Sequence, residues 1–167
     1  MMTPPGKILH AEHAGTHCLR FVGAIRYPLA PSLDRFLQHL FATATPGTFL
    51  VDLSETEMID STNLGLLIKI ARFMSERHAP SVVLFSPRED ITEILISMGF
   101  GNLFHVVSTD FPDGVKPVPC EQIPVAETDQ SRLAKVMLDA HRALMEMNKC
   151  NEATFQDVVR YLEKSVQ

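Results

Sequence analysis

Thr48-Phe49-Leu50-Val51-Asp52-Leu53 and, after a short interval, Met58-Ile59-Asp60-Ser61-Thr62-Asn63-Leu64-Gly65 set an apolar strand just before the start of an amphipathic helix. The first run has the makeup of a buried strand, whereas Leu64, Leu67, Ile68, Ala71 and Met74 recur at helical spacing. Asp60, Ser61, Thr62 and Asn63 all favour caps, so a hydroxyl pair stands at a helix N-terminus. Taken alone, the tetrad reads as a capped helix start and nothing more.

The same punctuation extends outward. Ile8 to His13 and Thr16 to Ile25 predict two strands joined at Ala14-Gly15. Pro28 and Pro31 precede Leu33, Phe36, Leu37, Leu40 and Phe41, which predict a first helix ending near Pro46-Gly47. Beyond the central helix, Pro80 is the stop, Ser81 to Phe85 the next strand, and Pro87 the lead into a third helix carrying Ile91, Ile94, Leu95 and Met98. Gly99 and Gly101 close that helix, and Val106-Val107 supplies the last strand.

Thr109 to Thr128 contains Pro112, Pro117, Pro119 and Pro124, and such spacing opposes both helix and central strand, so the segment reads as an extended linker. From Asp129 onward, Leu133, Val136, Met137, Ala140, Leu144 and Met147 form one apolar stripe; Phe155, Val158, Val159 and Leu162 form another. A break at Asn148 to Asn151, with Asn151 as cap of the second helix, gives a helical hairpin. The expected division is residues 1–108, a linker at 109–128 and a helical extension at 129–167. A hairpin of this size cannot bury two stripes alone, so it docks on the first unit, self-associates or binds a partner.

The composition, 46% hydrophobic and 21% charged in 167 residues, is that of a globular chain. A net charge of −5 without a Lys or Arg run argues against nucleic acid as a partner. No apolar stretch approaches the roughly 20 residues that span a bilayer, and Met1 to Gly6 has no basic, then apolar, leader pattern, so no membrane partner is expected. Cys18, Cys120 and Cys150 share no disulfide-like or metal-like spacing, which fits packing thiols in a reducing cytoplasm. His10, His13 and His17 cluster in the first hairpin without matching Cys or carboxylate ligands, so neither a metal nor any other cofactor is expected.

Asp60-Ser61-Thr62-Asn63-Leu64-Gly65 resembles the Asp-Ser-(Ser/Thr)-Gly-Leu-Gly string of STAS domains, the fold of the bacterial anti-sigma factor antagonists. The likeness continues through Leu50 to Ser54, Val82 to Phe85, Ile94 to Phe100 and Leu103-Phe104, and covers residues from Lys7 to Ser108. It implies an α/β fold: a mixed sheet of about five strands with helices packed on it, here extended by the C-terminal hairpin. It also implies a cytoplasmic, non-enzymatic regulator that binds an anti-sigma factor and thereby controls transcription. Ser61, with Thr62 as the weaker candidate, is then the residue modified by a separate serine kinase and restored by a separate phosphatase. A second class is a scaffold or transporter-associated STAS module in which the hydroxyls serve contact. Ser61 as an enzyme nucleophile lacks a Gly-x-Ser-x-Gly elbow and an identifiable base.

A phosphate on Ser61 would add about −1.5 to −2 charges at a helix end whose free amides tolerate them, and a docked partner would feel the change. On the helix, Lys69, Arg72 and Glu76 are expected to face water, and Leu66, Ile70 and Phe73 form an apolar flank. That flank is either a partner surface or the seat of the C-terminal hairpin. Asn63 stands where the family has Gly and is expected to narrow a kinase's access to Ser61. Arg26 follows Gly23-Ala24-Ile25 where an acid is usual, and can pair with a phosphate or an acidic partner group. The candidate partner-binding set is therefore Arg26, Asp60, Thr62, Asn63, Leu66, Ile70 and Phe73.

Overall fold

The first hairpin consists of β1 (Lys7–His13) and β2 (Thr16–Ile25), which pair antiparallel from Lys7↔Val22 to His13↔Thr16. Ala14 and Gly15 turn the chain with φ of 51° and 82°, the positive pair that suits a two-residue hairpin. The computed structural model describes residues 5–43, 47–111 and 120–166. Within them β3 (Thr48–Asp52), β4 (Thr56–Ile59), β5 (Val83–Phe85), β6 (His105–Val107) and β7 (Glu121–Gln122) complete a seven-stranded mixed sheet in the order β6-β5-β3-β2-β1-β7. The short β4 lies off this path, parallel to β2 beyond a bulge at Gly23 and Ala24.

Helices α1 (Ala30–Thr43), α2 (Ser61–Glu76) and α3 (Glu89–Ser97) alternate with the strands, and α4 (Gln130–Met145) and α5 (Lys149–Ser165) follow β7. Alternate strand residues Leu19, Phe21, Phe49, Val51 and Leu84 join Leu33, Leu64, Leu67, Ile91 and Leu95 in the main core. Their neighbours Cys18, Leu50 and Phe85 form a smaller cluster with Val83 and Val107, and Phe111 packs edge-on against Phe85 at 5.1 Å. Burial pushes the Cys18 thiol up to about 12, in keeping with a packing thiol rather than a reactive one.

The main core does not stop at the first unit: Ile123, Val136, Ala143, Leu144 and Phe155 belong to it as well. Two strands are additional to the five expected. The four residues of β4 precede the serine motif, and β7 lies inside the segment read as a linker. There Gln122 and Glu121 pair with Leu9 and His10, and Ile123 is buried, so part of that segment is woven into the sheet. Pro46, Pro112, Pro117 and Pro119 lie outside the described residues. The cap of α5 is Asn148, whose side chain accepts from the Asn151 amide at 2.8 Å; Asn151 itself lies in the first turn.

His10 Nε2 and His17 Nδ1 are 3.0 Å apart with their rings stacked, and Phe36 and Phe49 flank the pair. Among the described residues no three His, Cys, Asp or Glu side chains converge as a metal-holding group. Burial lowers the pKa of both imidazoles below 6.5, and for His10 the neighbouring His17 lowers it further. The unfolded chain therefore binds protons first as pH falls. The pair's contribution is complete above pH 6.5 and is lost on descending through the depressed folded values. Thermal melts at pH 7.5 and pH 5 should show a larger acid loss for the native chain than for His10→Gln; equal losses would contradict this.

Candidate functional site

Leaving β4, the chain reaches Asp60 in extended conformation, and its Oδ1 accepts from the Asn63 amide at 3.0 Å as the cap of α2. The Asn63 side-chain amide donates to the same oxygen at 2.9 Å. Ser61 is thus the first helical residue, held by a doubly bonded cap. The Asp60 amide donates to Ile25 O at 3.0 Å, and Ile25 pairs with Ile59, so Arg26 and Ser61 leave the same end of the sheet. Arg26 is exposed and makes no ion pair among the described residues.

The hydroxyl of Ser61 lies 2.8 Å from Nε2 of His141 on α4. His141 Nδ1 is 2.6 Å from the carbonyl oxygen of Met137, which only accepts, so Nδ1 carries the proton. In the neutral ring Nε2 is then the acceptor, and the serine donates to it. His141 is 3% exposed, and Phe155 of α5 packs edge-on against its ring at 5.5 Å. The pair has the geometry of a nucleophile and base, with the base oriented by a backbone carbonyl. The base that the sequence did not identify is therefore present, but it is buried beneath α5, and Asp60 already occupies the Asn63 amide of the first turn.

One turn beyond Ser61, Gly65 lets the two backbones touch: a Cβ there would stand 2.3 Å from Ala140 O. Arg72 continues the contact, reaching Glu146 at 2.8 Å and Ala143 O at 3.5 Å. At the other end of the hairpin, Asn148 and Asn151 donate to Met98 O at 3.2 and 3.0 Å, satisfying a carbonyl at the end of α3. The helix α4 thus lies along the Ser61–Gly65–Arg72 side of α2. This is the side expected to meet water, and Lys69 beside it pairs with Asp34 of α1 at 2.9 Å.

The apolar flank is not an exposed surface. Leu66 and Ile70 are fully buried, and Phe73 stacks on Phe41 of α1 at 3.8 Å with the Arg77 guanidinium over its ring. Thr62 and Asn63 are buried too, so of the candidate partner residues only Arg26 and Asp60 reach the surface. Asn63 turns inward onto Asp60 and does not screen Ser61; its Oδ1 has no hydrogen-bond partner among the described residues. Phe73→Ala should lower unfolding free energy by about 3 kcal/mol, since it opens a cavity between α1 and α2. A denaturant melt unchanged by the substitution would place Phe73 outside the core.

A family model for the STAS domain matches residues 7–110. The chain belongs to the STAS family. No curated protein matches it. The STAS match ends at residue 110, so His141, which holds the motif serine of the domain, comes from the part of the chain beyond it. No helix among the described residues is long and apolar enough to cross a membrane.

Two contributors were missed in the sequence, Gly65 and His141. Each carried a signal: a glycine in the interior of an otherwise good helix, and a histidine immediately after Ala140, within an apolar stripe.

Proposed function

We propose that this STAS domain is a cytoplasmic, non-enzymatic anti-sigma factor antagonist. Phosphorylation of Ser61 by a separate serine kinase switches it, a separate phosphatase restores it, and transcription is controlled through the partner's release. The observation that carries this reading is the position of Ser61. It opens α2 behind a fixed cap and is partly exposed, whereas Thr62 is 2% exposed. A phosphate there meets helix-start amides, and Arg26, which has no ion pair among the described residues, is exposed at the same end of the sheet. Asp60 lies beside it, so a partner surface without basic groups would be repelled.

The Ser61–His141 bond favours a second reading, a scaffold or transporter-associated STAS module whose serine serves contact alone. Capture with unmodified and Ser61-phosphorylated protein separates the two. Phosphate-sensitive capture of a kinase-linked regulator supports the antagonist; phosphate-insensitive capture of an ABC-transporter ATPase supports the scaffold.

A further inference from the structure

We propose that the hairpin of α4 and α5 reads the state of Ser61: the free hydroxyl holds it docked through His141, and the phosphoryl ester releases it. The proposal rests on Ser61 being a phosphorylation site and concerns what that modification does within the chain. In the unmodified protein, donors and acceptors match along the line Ser61 Oγ–H, His141 Nε2, His141 Nδ1–H and Met137 O. A kinase transfers the terminal phosphoryl group of a nucleoside triphosphate to Oγ: the Oγ–P bond forms, the bond from that phosphorus to the bridging oxygen breaks, the nucleoside diphosphate departs, and the hydroxyl proton leaves to solvent or base. The ester then carries about −1.5 to −2 charges and three further oxygens where one hydrogen had been. The added group needs space that the docked hairpin does not leave, because His141 is 3% exposed and Phe155 of α5 packs against its ring, so the ester presses on α4.

The surroundings give little relief. The Nε2 atom stands 2.8 Å from Oγ, which leaves no room for a phosphorus and its oxygens along that line. The helix α4 cannot simply lift at one end, because Gly65 and Ala140 are in backbone contact one turn away. Turning the phosphate outward would spare the clash but leave Nε2 buried without a donor. The remaining polar ties of α4 to α2 are Arg72 to Glu146, an exposed pair of little strength, and Arg72 to Ala143 O, while the rest of the hairpin's hold is apolar, through Val136, Ala143, Leu144 and Phe155 in the main core. By linkage the relation is reciprocal: a docked hairpin opposes modification of Ser61, and its departure uncovers the Ser61–Gly65–Arg72 side of α2 to a partner.

The test installs phosphoserine at position 61 of the full chain during synthesis, with no kinase involved, and follows amide hydrogen exchange. Exchange across residues 130–165 should accelerate about tenfold or more, the factor expected when a buried hydrogen bond is lost and its acceptor stranded, while β2 and β3 keep their protection. His141→Gln should shrink that acceleration to less than about threefold, because the flexible, unbranched amide accepts from the hydroxyl in the free form and can move aside from the phosphate in the modified one. Ser61→Asp, an acceptor-only side chain, should give a smaller acceleration and serves if the phosphoprotein folds poorly. Unchanged exchange in both the phosphoserine and aspartate forms, or an acceleration unaltered by His141→Gln, would overturn the proposal. Absence of Ser61 phosphate in the native cell would count against the antagonist reading alone, since the installed phosphate does not depend on a cellular kinase.

Discussion

Gly65→Val is expected to strip the hairpin from α2 and to lower stability by more than about 3 kcal/mol, beyond the usual range for an overpacked core. The sign is the informative part. A glycine inside an exposed helix costs about 1 kcal/mol relative to alanine, so replacing it ordinarily stabilises. Here any Cβ would lie 2.3 Å from Ala140 O, 2.6 Å from its carbonyl carbon and 2.7 Å from its Cβ. Those atoms belong to the backbone or root of α4, which moves only as a whole. Denaturant melts and exchange protection of α4 and α5 check the outcome. A variant as stable as the native chain, with the hairpin still protected, would mean the two helices do not meet through Gly65.

Most of the fold could be read from local pattern because its elements are locally determined. The strands β1 and β2 are marked off by the turn at Ala14-Gly15, and α2 announces itself through Asp60 and its apolar spacing. The strand β4 escaped because its four residues expose Glu57 and Met58 and pair with β2 only past the Gly23 bulge. Similarly, β7 is two exposed residues whose strand character comes wholly from β1. Neither carries a pattern of its own.

The site was half legible for the same reason. Asp60 and Ser61 stand at the start of α2, whereas Leu66, Ile70 and Phe73, set apart by the helical wheel as a flank, belong to the same core as the sheet-facing residues. The wheel could not tell that α1 would cover Phe73 or that α4 would lie over the polar side of α2. His141 is 80 residues from Ser61, and only the docking of α4 makes them partners. A polar residue inside an apolar stripe is a cue that such a partner exists, without naming it.

The second large effect concerns the switch itself. A stoichiometric phosphate on Ser61 should weaken the unmodified protein's partner complex by a few kcal/mol, enough to dissolve a micromolar complex at cellular concentrations. Ser61→Ala keeps the partner-competent charge state and cannot be switched. Ser61→Asp should fall between, since one carboxylate has less charge and a different shape. Titration of the same partner against all four forms gives the ranking directly. Equal affinities would remove Ser61 from the switch.

Site-resolved mass spectrometry of the protein isolated from its native cell tests the central claim most directly. The account predicts phosphate on Ser61 and none on the buried Thr62. Phosphate on Thr62 alone, or on neither residue under every growth condition sampled, would contradict it.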